Sequence, residues 1–233
     1  MTLDELIEKL QKIKKMGFVK TVRAHQGGVG NTLEYLLEVP ENNLRLPDIG
    51  EIEIKAKRYD SQSMLTLSSR APQKRGTNKV LFKNYKYIGT DGIYRLYSTV
   101  YGSRKNTKGF GIDVQNGKLV LLNPKNIEAF WPLEKLDDIF KENSSQIVLV
   151  LAYTKGSMGK SDERFHYVEA YLLSGLNLNN TRNAIKRDKL KVDIRIGFDL
   201  TGKRAGKYHD HGTGFRISKK DYIHLFGKVK QLI

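Results

Sequence analysis

The hydrophobic pattern at the amino terminus is that of an amphipathic helix. Apolar residues recur at helical spacing from Leu3 to Ile13, and Gly17 ends the pattern. Thr2 and Glu5 have the spacing of a capping box, so Thr2 is the expected N-cap. A second helix is predicted from about residue 31, after the Gly-rich segment 26–30, to about residue 40.

Between residues 49 and 57 the apolar pattern changes to a period of two, which predicts a strand. Ile52 and Ile54 lie on one of its faces, and Glu53 and Lys55 lie on the other. Further strands are predicted at 64–67, 147–153, 164–173, 192–198 and 214–217, and hairpins turn at Thr90-Asp91-Gly92 and Asn116-Gly117. Helices are predicted at 132–142, at 179–188 and from Ser218 to about Ile233. The pattern therefore indicates an α/β protein with a mixed central sheet and flanking helices.

The charge of the chain is strongly positive. Lys and Arg number 41 against 25 Asp and Glu, which gives a formal net charge of +16. A polyanion is the natural partner of such a chain. Nucleic acid is favoured over an anionic membrane surface, because the basic residues are spread along the chain and are not concentrated on one amphipathic helix.

Composition excludes several other classes. Cysteine is absent, so there is no disulfide framework, no thiolate zinc site and no thiol nucleophile. The longest apolar runs, such as 147–153, are far shorter than the roughly 18 residues that span a bilayer. Residues 1–15 carry acids and lysines throughout, unlike a signal peptide. We therefore expect a soluble, cytoplasmic protein with no membrane partner.

The segment from Pro47 to Lys55 combines the residue types that phosphodiester hydrolysis requires. Asp48 precedes the strand and can reach the edge where Glu53 projects, so both carboxylates are candidate ligands of Mg²⁺. A bound Mg²⁺ lowers the pKa of a water molecule and neutralises charge on a phosphoryl oxygen. Lys55 shares a face with Glu53, where it could orient the attacking water or stabilise the developing charge.

Two structural interpretations compete with this chemistry. Glu53 and Lys55 could be a solvated pair on an exposed strand face. Glu34, which follows Asn31 at the right spacing, could complete a capping box, or it could face the metal site from its helix. Catalysis is favoured because this is the only Glu-x-Lys in the chain and it closely follows a Pro-Asp.

The spacing Asp48-x4-Glu53-x-Lys55, preceded by a Gly-rich loop and a helix that bears Glu34, resembles that of the PD-(D/E)xK nucleases. Within them the chain is most similar to the MvaI/BcnI restriction endonucleases of the MutH-like branch, and it looks closer to MvaI. The blocks of sequence that carry this resemblance are 28–38, 41–43, 47–55, 63–67, 191–197 and 209–217.

The resemblance implies a single MutH-like nuclease over residues 1–233, with two lobes around a DNA cleft. The catalytic lobe would lie mainly in 1–70 and the recognition lobe mainly in 160–233. Glu34, Asp48, Glu53 and Lys55 match the family's catalytic positions. The family implies Mg²⁺-dependent cleavage of double-stranded DNA, one strand at a time, at a CC-N-GG site with a degenerate centre. It also implies a monomer and a cognate methyltransferase in the same restriction system.

Residues near the carboxyl terminus have the chemistry of base recognition. Asp193 and Arg195 share one strand face, and Arg216 projects from the next strand. Arginine donates bidentately to guanine O6 and N7, and aspartate accepts from cytosine N4. Lysines and arginines in the joining loop 199–211 suit phosphate contacts. The predicted base-recognition residues are Asp193, Arg195, His209, His211 and Arg216, and the predicted phosphate contacts are Lys203, Arg204 and Lys207.

Other interpretations of these residues stay open. Asp193 and Arg195 could form a surface ion pair of little consequence, and His209 with His211 could bind a transition metal. We predict a type II restriction endonuclease. The alternatives are a MutH-like mismatch-repair nickase that depends on a partner, and a non-cleaving DNA-binding protein on a degenerate nuclease scaffold.

Overall fold

The computed structural model describes residues 1–39, 51–176, 178–200, 205–210 and 212–233, and of 142–144, 178, 199, 209 and 223 it describes only the backbone. The helices are α1 (Leu3–Lys15), α2 (Gly28–Leu37), α3 (Thr77–Tyr85), α4 (Leu133–Ser144), α5 (Leu178–Lys186) and α6 (Tyr222–Leu225). The strands are β1 (Val19–Lys20), β2 (Ile52–Arg58), β3 (Leu65–Ser69), β4 (Tyr87–Ile88), β5 (Tyr94–Val100), β6 (Gly111–Gln115), β7 (Lys118–Leu122), β8 (Phe130–Pro132), β9 (Gln146–Lys155), β10 (Arg164–Leu176), β11 (Leu190–Asp199), β12 (Lys207–Asp210), β13 (Gly214–Ile217) and β14 (Phe226–Gln231).

The elements form two compact units, each assembled from segments that are distant in sequence. The first unit comprises Met1–Ser63, Lys141–Leu176 and Phe226–Ile233. The second unit comprises Met64–Phe140 and Asn177–Leu225. The assignment of lobes to catalysis and to recognition stays a prediction.

The first unit is built on a five-stranded sheet. Its order is β1-β10-β9-β2, and β14 also pairs with β10. The pairing of β2 with β9 is parallel, and the other pairings are antiparallel. Helices α1 and α2 bury their apolar stripes in one core with this sheet, as Leu10, Leu33 and Ile54 illustrate. The spacing-based predictions of α1, α2, β2, β9 and β10 are confirmed.

The second unit contains a six-stranded sheet and a three-stranded sheet. The larger sheet has the order β3-β13-β11-β5-β4, with β12 on β11, and the smaller has the order β6-β7-β8. Asn116 and Gly117 have φ angles of 47° and 72°, as the tight turn between β6 and β7 requires. Phe215 contacts the rings of Trp131 and Phe140 edge-on and anchors β13 in the core. The mixed α/β class is confirmed, although its strands form several sheets and no single central one.

Two local predictions were wrong. The segment 218–233 forms a short 3-10 turn (Lys219–Asp221), then α6, and then strand β14, where one helix was predicted. Its end is a strand because β10 offers an open edge with which β14 pairs. The predicted joining loop 199–211 contains β12, which pairs with β11 as a hairpin. Among the described residues, no helix is long and apolar enough to cross a membrane.

Candidate functional site

Strand β2 presents an acid and a lysine side by side. Lys55 Nζ donates to Glu53 Oε1 over 2.6 Å, and the two side chains are 21% and 22% exposed. Ile52 and Ile54 turn into the core of the first unit, so Glu53 and Lys55 lie on the opposite face of the strand. The pair is half-buried, which argues against the interpretation as a freely solvated surface pair.

Helix α2 begins earlier than predicted. Its N-cap is Gly27 and Asn31 lies inside the helix, so the capping-box interpretation of Glu34 was wrong. A Cβ atom at Gly28 would lie 2.7 Å from the carbonyl oxygen of Arg23, so only glycine allows this close approach. Tyr167 donates its hydroxyl to the carbonyl of Val29 over 2.8 Å, and this bond fixes the first turn of the helix to β10.

Glu34 is half-buried on α2 and lines a pocket of about 240 Å³. Arg23, Asn31 and Tyr35 are among the other residues that line this pocket. Asp48 lies outside the described residues. Within the described part of the chain, no three His, Asp or Glu side chains are grouped as metal ligands. The metal site predicted from Asp48 and Glu53 therefore stays a prediction.

The second predicted cluster is brought together in the second unit. Asp193 and Arg195 on β11 and Arg216 on β13 line one open pocket of about 490 Å³. Asp193 is 6% exposed and accepts from Thr99 Oγ1 over 2.5 Å and from Arg216 over 2.6 Å. Its partner is thus Arg216, and the interpretation of Asp193 and Arg195 as a surface ion pair was wrong.

The two arginines of this pocket are held differently. Arg216 donates to Asp193 and also to the carbonyl of Met64 over 3.0 Å, which fixes its guanidinium. Arg195 donates to Ser69 Oγ over 3.2 Å. Burial, and next the neighbouring charge of Arg216, lower the pKa of Arg195. Arg195 lines the pocket, and its guanidinium has more donors than the one that Ser69 accepts.

Several predicted residues are only partly located. Lys203, Arg204 and His211 lie outside the described residues, and of His209 only the backbone is described, opposite Gly197. Lys207 lies on β12 opposite Asp199. The interpretation of the two histidines as a metal pair stays untested. The tertiary partners Thr99, Ser69 and Met64 were missed, because they are distant in sequence from the residues that they hold.

A buried ion pair in the first unit was also missed. Arg58 ends β2 on the face of Ile52 and Ile54, and its partner is Glu163, which is 1% exposed. A charged residue in the core-facing phase of a strand requires a buried partner. The strand alternation therefore indicated that Arg58 needs a buried acidic partner, but it did not indicate which acid that would be.

A half-buried carboxylate with an adjacent lysine on a strand, and an arginine and aspartate pocket on a second sheet, are compatible with a protein of the restriction endonuclease class. The chain belongs to the MvaI/BcnI restriction endonuclease family, whose sequence model matches residues 7–226. It is a type II site-specific deoxyribonuclease.

Solved structures agree with this assignment. The restriction endonuclease MvaI in complex with its cognate DNA substrate is 31% identical over 100% of both chains, with a TM-score of 0.87. MvaI in the absence of DNA is 31% identical over 100% of this chain and 99% of that chain, with a TM-score of 0.58. No curated protein matches the chain.

Proposed function

We propose that this enzyme binds double-stranded DNA and hydrolyses it at a CC-N-GG site with a degenerate centre, one strand at a time and with Mg²⁺. The Glu53–Lys55 pair on β2 is the observation that carries the proposal, since it provides the acid and the lysine that the chemistry needs. The net charge of +16 supports a polyanionic substrate.

Glu53 and Asp48 would hold the metal ion. The donor chemistry fits, because carboxylate oxygens are the ligands that Mg²⁺ prefers and Glu53 is half-buried. Restriction endonucleases of this family generally use divalent metal ions. When bound, such an ion acts as a Lewis acid and lowers the pKa of a water molecule.

The chain's own residues would position the reacting groups. Glu53 holds the ammonium of Lys55, which would donate to the phosphoryl oxygens as negative charge develops on them. Glu34 would contribute from α2, as the resemblance implies.

The pocket in the second unit would read the G·C pairs. Arg195 and Arg216 carry the guanidinium donors that match guanine O6 and N7. Asp193 would hold Arg216 in place through its short ion pair, and His209 and His211 would add donors. Lys203, Arg204 and Lys207 would contact phosphates, which fix register without specifying sequence. We further expect a cytoplasmic monomer that works beside a cognate methyltransferase.

The test is cleavage of plasmid DNA with Mg²⁺ and no other protein, followed by sequencing of the cut ends. The proposal expects ends within CC-N-GG sites for the wild type, and loss of cutting for Asp48→Ala and Glu53→Gln. Glu51→Gln is the matched control, because Glu51 is exposed on the same segment. Cutting at a different sequence would overturn the recognition site alone.

The same assay separates the alternatives. A mismatch-repair nickase that depends on a partner would leave the plasmid intact until that partner is added. A non-cleaving binding protein would retard the plasmid in a gel and leave it intact under all conditions.

A further inference from the structure

A second pocket of the second unit is lined by lysines, and one of them is Lys207. Its volume is about 530 Å³, and α3 lies on one side while the hairpin of β11 and β12 lies on the other. The residues that line it are Lys79, Phe82, Lys83, Lys86, Phe198, Gly206, Lys207 and Tyr208. Nothing in the sequence pattern singled out α3 as functional.

The floor of this lysine pocket is a set of packed aromatic rings. The ring centre of Phe82 lies 6.5 Å from that of Phe198 and 6.3 Å from that of Tyr208, in both cases with stacked geometry. Tyr94 meets Phe198 edge-on. Phe82 is 6% exposed, so the floor is continuous with the core and fixes the backbone of α3 against the hairpin.

The charged side chains that line the lysine pocket are all lysines. Lys79, Lys83 and Lys86 recur at helical spacing on one face at the end of α3, and Lys207 adds a charge from β12. All four lysines are exposed, and none forms an ion pair with an acidic side chain in the described part of the chain. The sequence from 61 to 90 contains no Asp or Glu, and Asp210 of β12 accepts from Asn78 of α3 over 2.8 Å.

Lys86 contacts the aromatic rings of the lysine pocket. Lys86 Nζ lies 4.5 Å from the ring centre of Tyr94 and 5.9 Å from that of Phe82. Such contacts hold the stem against the rings and leave the ammonium at the surface. A lysine ammonium is a compact point charge, so it binds phosphate oxygens without a fixed geometry. Arginine, by contrast, binds carboxylate or phosphate groups through two parallel hydrogen bonds.

The lysine pocket is close to the predicted base-recognition residues. Phe198 follows Arg195 by three positions on β11, which corresponds to about 10 Å along a strand. Tyr208 pairs with Phe198, and its neighbour His209 pairs with Gly197. Arg195 and Phe198 point to opposite faces of β11, so the lysine pocket lies on the reverse face of this strand and outside the base-reading pocket.

We infer that this pocket binds backbone phosphates of duplex DNA outside the recognised base pairs, with Lys79, Lys83, Lys86 and Lys207 as the contacts. The inference rests on the proposed function, which places duplex DNA on the face of β11 that carries Arg195. It assigns to α3 a part in affinity and none in the reading of sequence.

The test compares two variants with the same change of charge. The first is Lys79→Gln/Lys83→Gln/Lys86→Gln. The control is Lys12→Gln/Lys14→Gln/Lys15→Gln, because these lysines end α1 in the first unit and are also exposed. Binding is measured by fluorescence anisotropy in chelator. The short duplex is the stem of a DNA hairpin that ends at the CC-N-GG site, and the extended duplex continues by a helical turn, about 10 base pairs, on each side.

We expect the α3 variant to lose at least about tenfold in affinity for the extended duplex and to bind the short duplex like the wild type. Its plot of log affinity against log salt should be less steep by about one for each lost phosphate contact. The α1 variant should bind both duplexes like the wild type. Unchanged thermal unfolding and retained cutting of the short duplex would show that α3 is folded in the variant.

Three results would overturn the inference. These are equal losses on the two duplexes, no loss on either, or equal losses in the α3 and α1 variants. A failure of the proposed function looks different, because the wild type itself would then neither cut nor prefer DNA that contains the site.

Discussion

Arg58 and Glu163 form a two-pronged ion pair across 105 residues of sequence. Arg58 Nε lies 2.6 Å from one carboxylate oxygen, and a terminal guanidinium nitrogen lies 2.9 Å from the other. Arg58 also donates to the carbonyl of Gln26, and the N–H of Gly159 donates to Glu163. The pair therefore ties the end of β2 to the Gly-rich loop before α2, so it supports the elements that carry Glu53 and Glu34.

We predict that Glu163→Gln destabilises the fold by about 3–5 kcal/mol, because the change leaves the charge of Arg58 buried without a counter-charge. Urea denaturation measures the free energy of unfolding. Glu38→Gln is the control, since Glu38 forms an ion pair with Lys9 but its side chain is 81% exposed. The prediction fails if the two variants unfold at the same urea concentration.

The same pair predicts a dependence of stability on pH. Burial by itself raises the pKa of Glu163, but hydrogen bonds from Arg58 and Gly159 and the charge of Arg58 bring it below its ordinary value. A carboxyl whose pKa is lower in the folded state stabilises the fold above its unfolded pKa, and the contribution is lost as pH falls through the folded value.

We therefore expect the stability difference between wild type and Glu163→Gln to shrink as pH falls below about 4.3. Urea midpoints of both proteins across a pH series measure it. A difference that stays constant down to the acid transition would contradict the role of this carboxylate.

The Glu53–Lys55 pair predicts a separation of cutting from binding. Lys55→Gln should lower the cleavage rate at least about 100-fold, because it removes a positive charge that would stabilise the transition state. Affinity for duplex DNA in chelator should change little. Lys20→Gln, at an exposed position on β1, is the control. If Lys55→Gln cuts like the wild type, then Lys55 has no part in the chemistry.

The Asp193–Arg216 pair predicts a loss of specificity. Asp193→Asn removes the charge that holds Arg216, and it should reduce the preference for cognate over non-cognate duplex by about 1–3 kcal/mol. Competition binding measures that preference. Thr99→Val, which removes only the hydroxyl donor to Asp193, should have a smaller effect in the same direction. Unchanged preference in both variants would remove this pair from base recognition.

Strand β14 predicts a stability effect at the carboxyl terminus. Phe226 is 1% exposed and pairs with Leu176, so Phe226→Ala should cost about 3–5 kcal/mol of stability. Val229, 44% exposed on the same strand, should tolerate alanine with a much smaller loss. Thermal unfolding of the two variants is the measurement. Equal losses would mean that Phe226 does not anchor the strand.

The mistaken helix at 218–233 shows where local pattern is insufficient. Apolar residues at 222, 225, 229 and 232 fit a helical spacing, and Ser218 fits an N-cap. The chain instead pairs with β10, and Gly227 approaches Gly175 so closely that side chains at either position would meet the other's backbone. Pairing with the edge of β10, which lies 50 to 60 residues earlier in the chain, makes this segment a strand. The local sequence pattern does not contain that information.

The sequence by itself determined most elements, the mixed α/β class and the pairing of Glu53 with Lys55, because alternation along one strand places residues two apart on one face. It also placed Asp193 and Arg195 on a shared face. Only the tertiary structure decided that Asp193 holds Arg216, that Arg58 meets Glu163 and that the lysines of α3 face the β11–β12 hairpin. These contacts join residues distant along the chain, and their geometry depends on how sheets and helices pack rather than on any repeat in the sequence.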